Sequence, residues 1–149
     1  MINLEFSVRP DQGDPSGFDL GDMTITGDLG AADSRGHYPD QGMMIYLTVP
    51  LLLYGLGRIL RGEERRLRFI GIDTSFRVDF HRNKKGVSLS ANRNKITNIE
   101  VAELASAVLL AAEALADSSL PTLPEKDVAK SDYLNTLNDF KALTASISK

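Results

Sequence analysis

The sequence predicts an α+β fold: a mostly antiparallel β-sheet with two or three helices packed on one side. Three observations carry this. Short apolar–polar alternations recur at residues 2–8 and between residues 65 and 91, the period of half-buried strands. The alanine- and leucine-rich run at 100–116 instead spaces its apolar residues for a helix. The resulting order is strands, helix, strands, helix, helix, without the strand–helix alternation that builds parallel sheets.

Ile2, Leu4, Phe6 and Val8 alternate with polar residues and make the first strand. RPDQGDPSG then reads as a loop. FDLGDMTIT, residues 18–26, is the second strand. Its apolar phase slips between Leu20 and Met23, so a bulge or tight turn is expected at Gly21-Asp22. Residues 27–42 read as a long acidic loop. PDQG stands at 10–13 and again at 39–42, but the flanks differ, so it is turn punctuation and not a repeat.

MMIYL, residues 43–47, suits a buried strand or the start of a helix. Pro50 favours a helix beginning near Thr48, because proline is tolerated in a first turn and not later. Leu52, Leu56, Ile59 and Leu60 then share a face. Arg58 and Arg61 suit the negative end of the dipole, and Gly62 stops the helix.

RRLRFIGID, residues 65–73, is the next strand. SFRVDFHR and GVSLSAN form a hairpin around NKKG, with Arg82 opposite Val87, His81 opposite Ser88, Phe80 opposite Leu89 and Val78 opposite Ala91. That register puts the apolar side chains on one face. Thr97 and Glu100 have the spacing of a capping box. Val101, Leu104, Ala105, Val108, Ala112 and Leu115 follow as one helical stripe. DSSLPTLPEK is a proline-containing linker. A last amphipathic helix is expected at about 131–145, with Tyr133, Leu137 and Phe140 inward. Residues 1–149 thus read as a single domain.

Composition narrows the chemistry. A chain of 149 residues buries roughly 68–70% of its unfolded surface, enough for a real core. Cysteine is absent, which excludes disulfides, thiolate metal sites and cysteine nucleophiles. The N-terminus lacks the pattern of a secretory signal. The longest apolar run, residues 43–57, is interrupted by Pro50 and falls short of the about 20 residues a spanning helix needs. A cytoplasmic protein without membrane contact is expected.

Net charge is −3, but it is unevenly distributed: −6 over residues 1–57, +7 over 58–95 and −4 over 96–149. Such blocks either meet a partner or pair within the chain. Asp11, Asp14, Asp19, Asp22, Asp28, Asp33 and Asp40 lie in or beside the two long loops. Their spacing does not match a calcium-binding loop, and the chain's two histidines, His37 and His81, are too few for a typical zinc site. No metal or cofactor is expected. Acidic loops suit a basic protein partner and are the first choice of contact surface.

The alternative surface is the basic hairpin 75–95, with Arg77, His81, Arg82, Lys84, Lys85, Arg93 and Lys95. These could neutralise phosphates. Single-stranded nucleic acid also wants aromatics on the same face, whereas Phe76 and Phe80 point to the core. The pI of about 5.4 lies far from a basic signature, so nucleic acid is the second reading. Asp79, His81 and Ser88 share the polar face and are the residue types of a catalytic triad. Nothing in the sequence supplies a cleft, an oxyanion hole or a G-x-S-x-G elbow, and no enzymatic activity is expected.

MMIYLTVPLLLYGLGRILRG and FIGIDTSFRVDF, followed by a hairpin and an alanine-rich helix, together resemble small bacterial immunity proteins of toxin–immunity systems, including contact-dependent growth inhibition. The resemblance covers roughly residues 43–116 and lies in layout, not in a signature motif. It implies a cytoplasmic, non-enzymatic protein that binds and neutralises one cognate toxin. Such families share no catalytic motif, so the resemblance assigns no binding residue.

Overall fold

The apolar run that begins at residue 43 divides between a strand and a long helix, and the rest of the chain is arranged around that helix. The computed structural model describes residues 1–147. Among these the elements are β1 (Ile2–Val8), β2 (Leu20–Gly27), β3 (Ala31–Asp33), β4 (Met43–Met44), α1 (Ile45–Leu60), β5 (Arg66–Ile70), β6 (Arg77–Asn83), β7 (Gly86–Ala91), β8 (Asn94–Ile99), α2 (Val101–Ser119), a 3-10 turn (Leu120–Thr122) and α3 (Val128–Ile147). The fold is α+β, as expected, with two antiparallel sheets in place of one.

Only Met43 and Met44 pair as a strand, with Gly21 and Leu20 of β2. The helix starts at Ile45, so Pro50 lies inside it and not in its first turn. Proline there forfeits the bond its missing N–H would make to the Tyr46 carbonyl. The earlier start keeps Ile45 and Tyr46 in the helix and buried, at about 1.5–3 kcal/mol for each large side chain, which outweighs one bond. Thr48 Oγ1 pins this turn: it donates to the Met44 carbonyl (2.8 Å) and accepts from Ile72 N–H (3.0 Å).

Val49, Leu52, Leu53, Leu56, Ile59 and Leu60 are also buried, so α1 is apolar around most of its circumference. Such a helix must be enclosed. β1, β2, β5, α2 and α3 all contact it. At its far end Gly62, at φ +78°, donates to the Ile59 carbonyl while Glu63 N–H donates to Arg58. This is a Schellman stop at the expected glycine.

In the first sheet β2 is central, and β1 pairs along it from Ile2–Gly27 to Val8–Gly21 without interruption. The bulge expected at Gly21-Asp22 is therefore absent. Phe18 stands before the strand and is exposed, so it never had to share the phase of Met23 and Ile25. The second sheet runs β5-β6-β7-β8. The β6–β7 register is the expected one, with His81 opposite Ser88, Phe80 opposite Leu89 and Arg82 opposite Val87.

β8 overturns the expected capping box. Asn92 and Arg93 both take positive φ, 49° and 67°, the backbone of a two-residue hairpin turn that sends residues 94–99 back along β7. Thr97 is thereby buried in the sheet, and its Oγ1 donates to Asp28 Oδ1 (2.6 Å). α2 starts after Glu100 with no side-chain cap. The Thr97–Asp28 bond and Leu29 N–H to the Ile96 carbonyl (2.9 Å) join the two sheets. Gly27 and Gly30 permit this approach, since a Cβ on either would meet the Ile96 or Lys95 carbonyl oxygen.

α2 absorbs residues 117–119, expected in the linker, and α3 extends beyond the expected 131–145 at both ends. Leu104, Ala105, Val108, Ala112 and Leu115 are buried on α2, and Tyr133, Leu137 and Phe140 on α3, as their spacing predicts. The two helices are tied by Tyr133, whose hydroxyl donates to the Ala112 carbonyl (2.7 Å). Leu56→Ala should cost about 2–5 kcal/mol. Leu51→Ala, on the same helix at a position 42% exposed, should stay within about 0.5 kcal/mol. Urea denaturation of the two variants against the wild-type chain measures the contrast.

Candidate functional site

The two charged sets singled out in the sequence end up in different electrostatic states. Most of the acids are used within the chain. Arg9, beyond the end of β1, donates from Nε and Nη2 to Asp22 (2.9 and 3.0 Å) and from Nη1 and Nη2 to Asp40 (2.7 and 2.8 Å). Asp22 is only 5% exposed and also accepts from Ser34 Oγ (2.7 Å). Ser34 Oγ in turn accepts from Met23 N–H (3.0 Å).

Burial opposes ionisation of Asp22, but the hydrogen bonds from Arg9 and Ser34 prevail and hold its carboxyl below the usual range. The Arg9 bonds hold Asp40 lower still, and Asp40 and Asp22 together raise Arg9. The guanidinium thus ties the loop 34–42 to the first sheet through two carboxylates.

Asp33 pairs with Arg35 (2.8 Å), which lowers its carboxyl, and Asp28 is lowered by the bond from Thr97. Asp19 accepts from Ser16 N–H (3.1 Å). Asp11 and Asp14 make no hydrogen bond or ion pair among the described residues. Nor do the seven acids form one patch, since Asp22 and Asp28 are six residues apart along β2 and its turn, roughly 20 Å. No group of three or more histidines and carboxylates able to hold a metal ion lies among the described residues.

The cations of the second sheet stand out from it. Antiparallel register aligns Arg66, His81, Ser88 and Asn98 across the four strands, with Arg68, Asp79, Ser90 and Lys95 as the next row. The alternate residues Phe69, Val78, Phe80, Val87 and Leu89 are buried beneath them. The side chains of Arg66, Arg68, His81, Lys84, Lys85, Arg93 and Lys95 make no hydrogen bond or ion pair among the described residues. Two expected members differ. Arg77 is paired with Asp79 (3.1 Å), and Arg82 lies on the other face, where Nη1 donates to the Ile59 and Leu60 carbonyls at the end of α1 (2.7 and 3.1 Å).

Arg66 and Arg68, absent from the expected basic surface, also stand on this face. Their signal was present, since they alternate with Leu67 and Phe69 as the charges of β6 alternate with Val78 and Phe80. Assigning them to the same face required knowing that β5 pairs with β6.

Ser88 and His81 sit side by side, but their hydrogen bonds do not connect them. Ser88 Oγ donates to Asn98 Oδ1 (2.7 Å) and accepts from Asn83 Nδ2 (3.3 Å). Asp79 is held by Arg77 and not by the imidazole. The serine proton is therefore directed away from His81, and the chain of contacts that activates a nucleophile is not formed.

Removing Asp22 tests the internal pairing of the acids. Asp22→Ala should destabilise the fold by about 3 kcal/mol, the lower end for breaking a buried pair, because Arg9 keeps Asp40. Asp40→Ala, at an exposed position, should cost clearly less. The carboxyls of Asp22 and Asp40 lie below the ordinary 3.8 in the folded chain, so their stabilisation is complete above about pH 4 and is lost as pH falls through the lowered values. Denaturation midpoints between pH 2 and 8 should show this acid-side slope reduced in Asp22→Asn and unchanged between about pH 5 and 8.

Compared with protein-family models, with curated proteins and with solved structures, the chain matches none.

Proposed function

We propose that the protein is a cytoplasmic immunity-type inhibitor, which binds a toxin protein and blocks it by occupying its surface, without catalysis of its own. The observation that carries this reading is the outer face of the second sheet. It is a broad face whose cations, Arg77 aside, are held out by strand pairing and left without internal partners among the described residues. In contrast, five of the seven loop aspartates already accept hydrogen bonds from the chain itself. This favours the basic face over the acidic loops as the contact surface, and with it an acidic matching surface on the toxin.

Complementary charge accelerates encounter and selects partners by repelling the wrong ones. A sheet face whose buried side is packed core also presents those charges without first having to be ordered, which lowers the cost of association. A nucleic acid would use the same cations. The face supplies no stacking platform for bases, since Phe69, Phe76 and Phe80 are all buried, so a protein is the favoured partner.

The reading expects a toxic domain to be encoded immediately upstream; co-expression of this chain with that domain should restore growth and yield a complex that co-elutes. Lys84→Glu, Lys85→Glu and Lys95→Glu combined should slow association on the order of 10-fold or more at low salt. Asp11→Ala with Asp14→Ala should leave it nearly unchanged. Persistent toxicity with no complex overturns the reading. Retardation of mixed-sequence RNA or DNA, weakening steeply with salt, would put nucleic acid in its place.

A further inference from the structure

The second sheet ends on one side at β5, which among the described residues has β6 as its only strand neighbour. The direction of its free hydrogen-bonding groups follows from the ladder. Arg82 N–H donates to the Arg65 carbonyl (2.7 Å) and Gly71 N–H to the Phe76 carbonyl (3.3 Å). Odd-numbered residues of this strand therefore face β6. The N–H and C=O groups of Arg66, Arg68 and Ile70 point to the open edge, by the alternation of an antiparallel pair. None of these six groups has a partner among the described residues.

The edge borders a groove of about 530 Å³ between β5 and α1. Leu51, Tyr54 and Gly55 form its far wall and Leu67 lies at its base. Tyr54 is 63% exposed and Ile70 49%, so large apolar surface is left open beside an unsatisfied strand. Gly55 keeps the trough narrow, since a Cβ there would come within 3.0 Å of Leu67 Cδ2.

Charge identifies what fits. Arg66 and Arg68 project from the outer face of the edge without acid partners, whereas Arg58 at the groove is paired with Glu64 (3.0 Å). A second copy is the wrong occupant. Antiparallel pairing of two β5 strands centred on Arg68 sets Arg68 against Arg68, a like-charge pair that destabilises the junction. Arginines alone would merely guard an edge. A guarded edge has no use for an apolar trough beside it.

We propose that β5 is a docking edge, where an extended acidic segment of a partner protein adds antiparallel to β5 as a fifth strand. The segment alternates acidic with apolar residues. Its acidic side chains lie on the outer face beside Arg66 and Arg68, and its apolar ones turn inward over Leu67 toward Leu51 and Tyr54. Main-chain bonds supply affinity and the alternate side chains supply selectivity. This rests on the reading that the basic sheet meets a protein, and it names the element of that partner which binds.

The probe is a synthetic seven-residue peptide alternating glutamate and valine, offered to the full chain. Hydrogen exchange should slow at the amides of Arg66, Arg68 and Ile70. In an antiparallel pair the residue that bonds Arg68 carries its side chain on the same face, so it is a glutamate. N-methylation of the glutamates should therefore weaken binding at least 10-fold, and N-methylation of the valines should not. Tyr54→Ala and Arg66→Glu with Arg68→Glu should each weaken it similarly, with the fold of each variant checked by its melting curve.

Two results overturn the proposal: no binding at millimolar peptide, or binding insensitive to glutamate N-methylation, which would mark simple charge attraction. The same exchange measurement on the toxin complex separates the two readings. A complex that leaves these three amides unprotected removes the docking edge and keeps the inhibitor. Peptide binding with no toxin complex keeps the edge and removes the inhibitor.

Discussion

The constraint on which the rest of the structure depends is the enclosure of α1. Sixteen residues of helix, about 24 Å, are apolar on most sides, and no single sheet face can bury them. The first sheet, the inner side of β5, α2 and α3 together supply the walls. Arg82 and the stop at Gly62 satisfy the last carbonyls of a helix that ends against protein, and Thr48 fixes its first turn to the segment after β5. The enclosure is incomplete along one strip, at Leu51 and Tyr54. That strip faces the β5 edge of the second sheet, so the helix and the sheet edge expose their unused surface at the same place.

The electrostatic pattern follows from the same arrangement. The first sheet carries its charges close to the backbone turns, where Arg9 can reach Asp22 and Asp40 at once and each carboxylate gains a bidentate partner. The second sheet has its apolar side chains committed to α1 and the core, so strand alternation sends its arginines and lysines outward. There Asp79 is the only carboxylate in the two central rows, and Arg77 occupies it. A chain that is acidic overall thus presents one sheet face that is basic.

Local pattern made much of this legible. The alternation of residues 76–91 determined the hairpin register to the residue, because a slip by one would have turned Phe80 and Leu89 to water. The helical spacing on α2 and α3 likewise picked out Leu104, Val108, Leu115, Tyr133, Leu137 and Phe140 as core. The departures from local pattern have a common cause. Thr97 and Glu100 match a capping box, yet residues 94–99 pair as β8 once Asn92 and Arg93 turn the chain back. Pro50 marks a first turn by local rules, yet the buried side chains of Ile45 and Tyr46 move the helix start five residues ahead of it. In each case contacts distant in sequence outweighed a local preference worth about 1–3 kcal/mol.

By itself the sequence determined the α+β class, the main strands and helices, the faces they bury and the charge blocks along the chain. These depend on periodicity, which neighbouring residues carry. Only the tertiary structure decided which charges remain free. Arg9 finds Asp40 across thirty-one residues, Arg82 leaves the basic face for the end of α1, and Arg66 and Arg68 join that face through β5. Charge availability depends on distances of a few ångströms between segments far apart in the chain, and those distances exist only after the sheets have closed around α1.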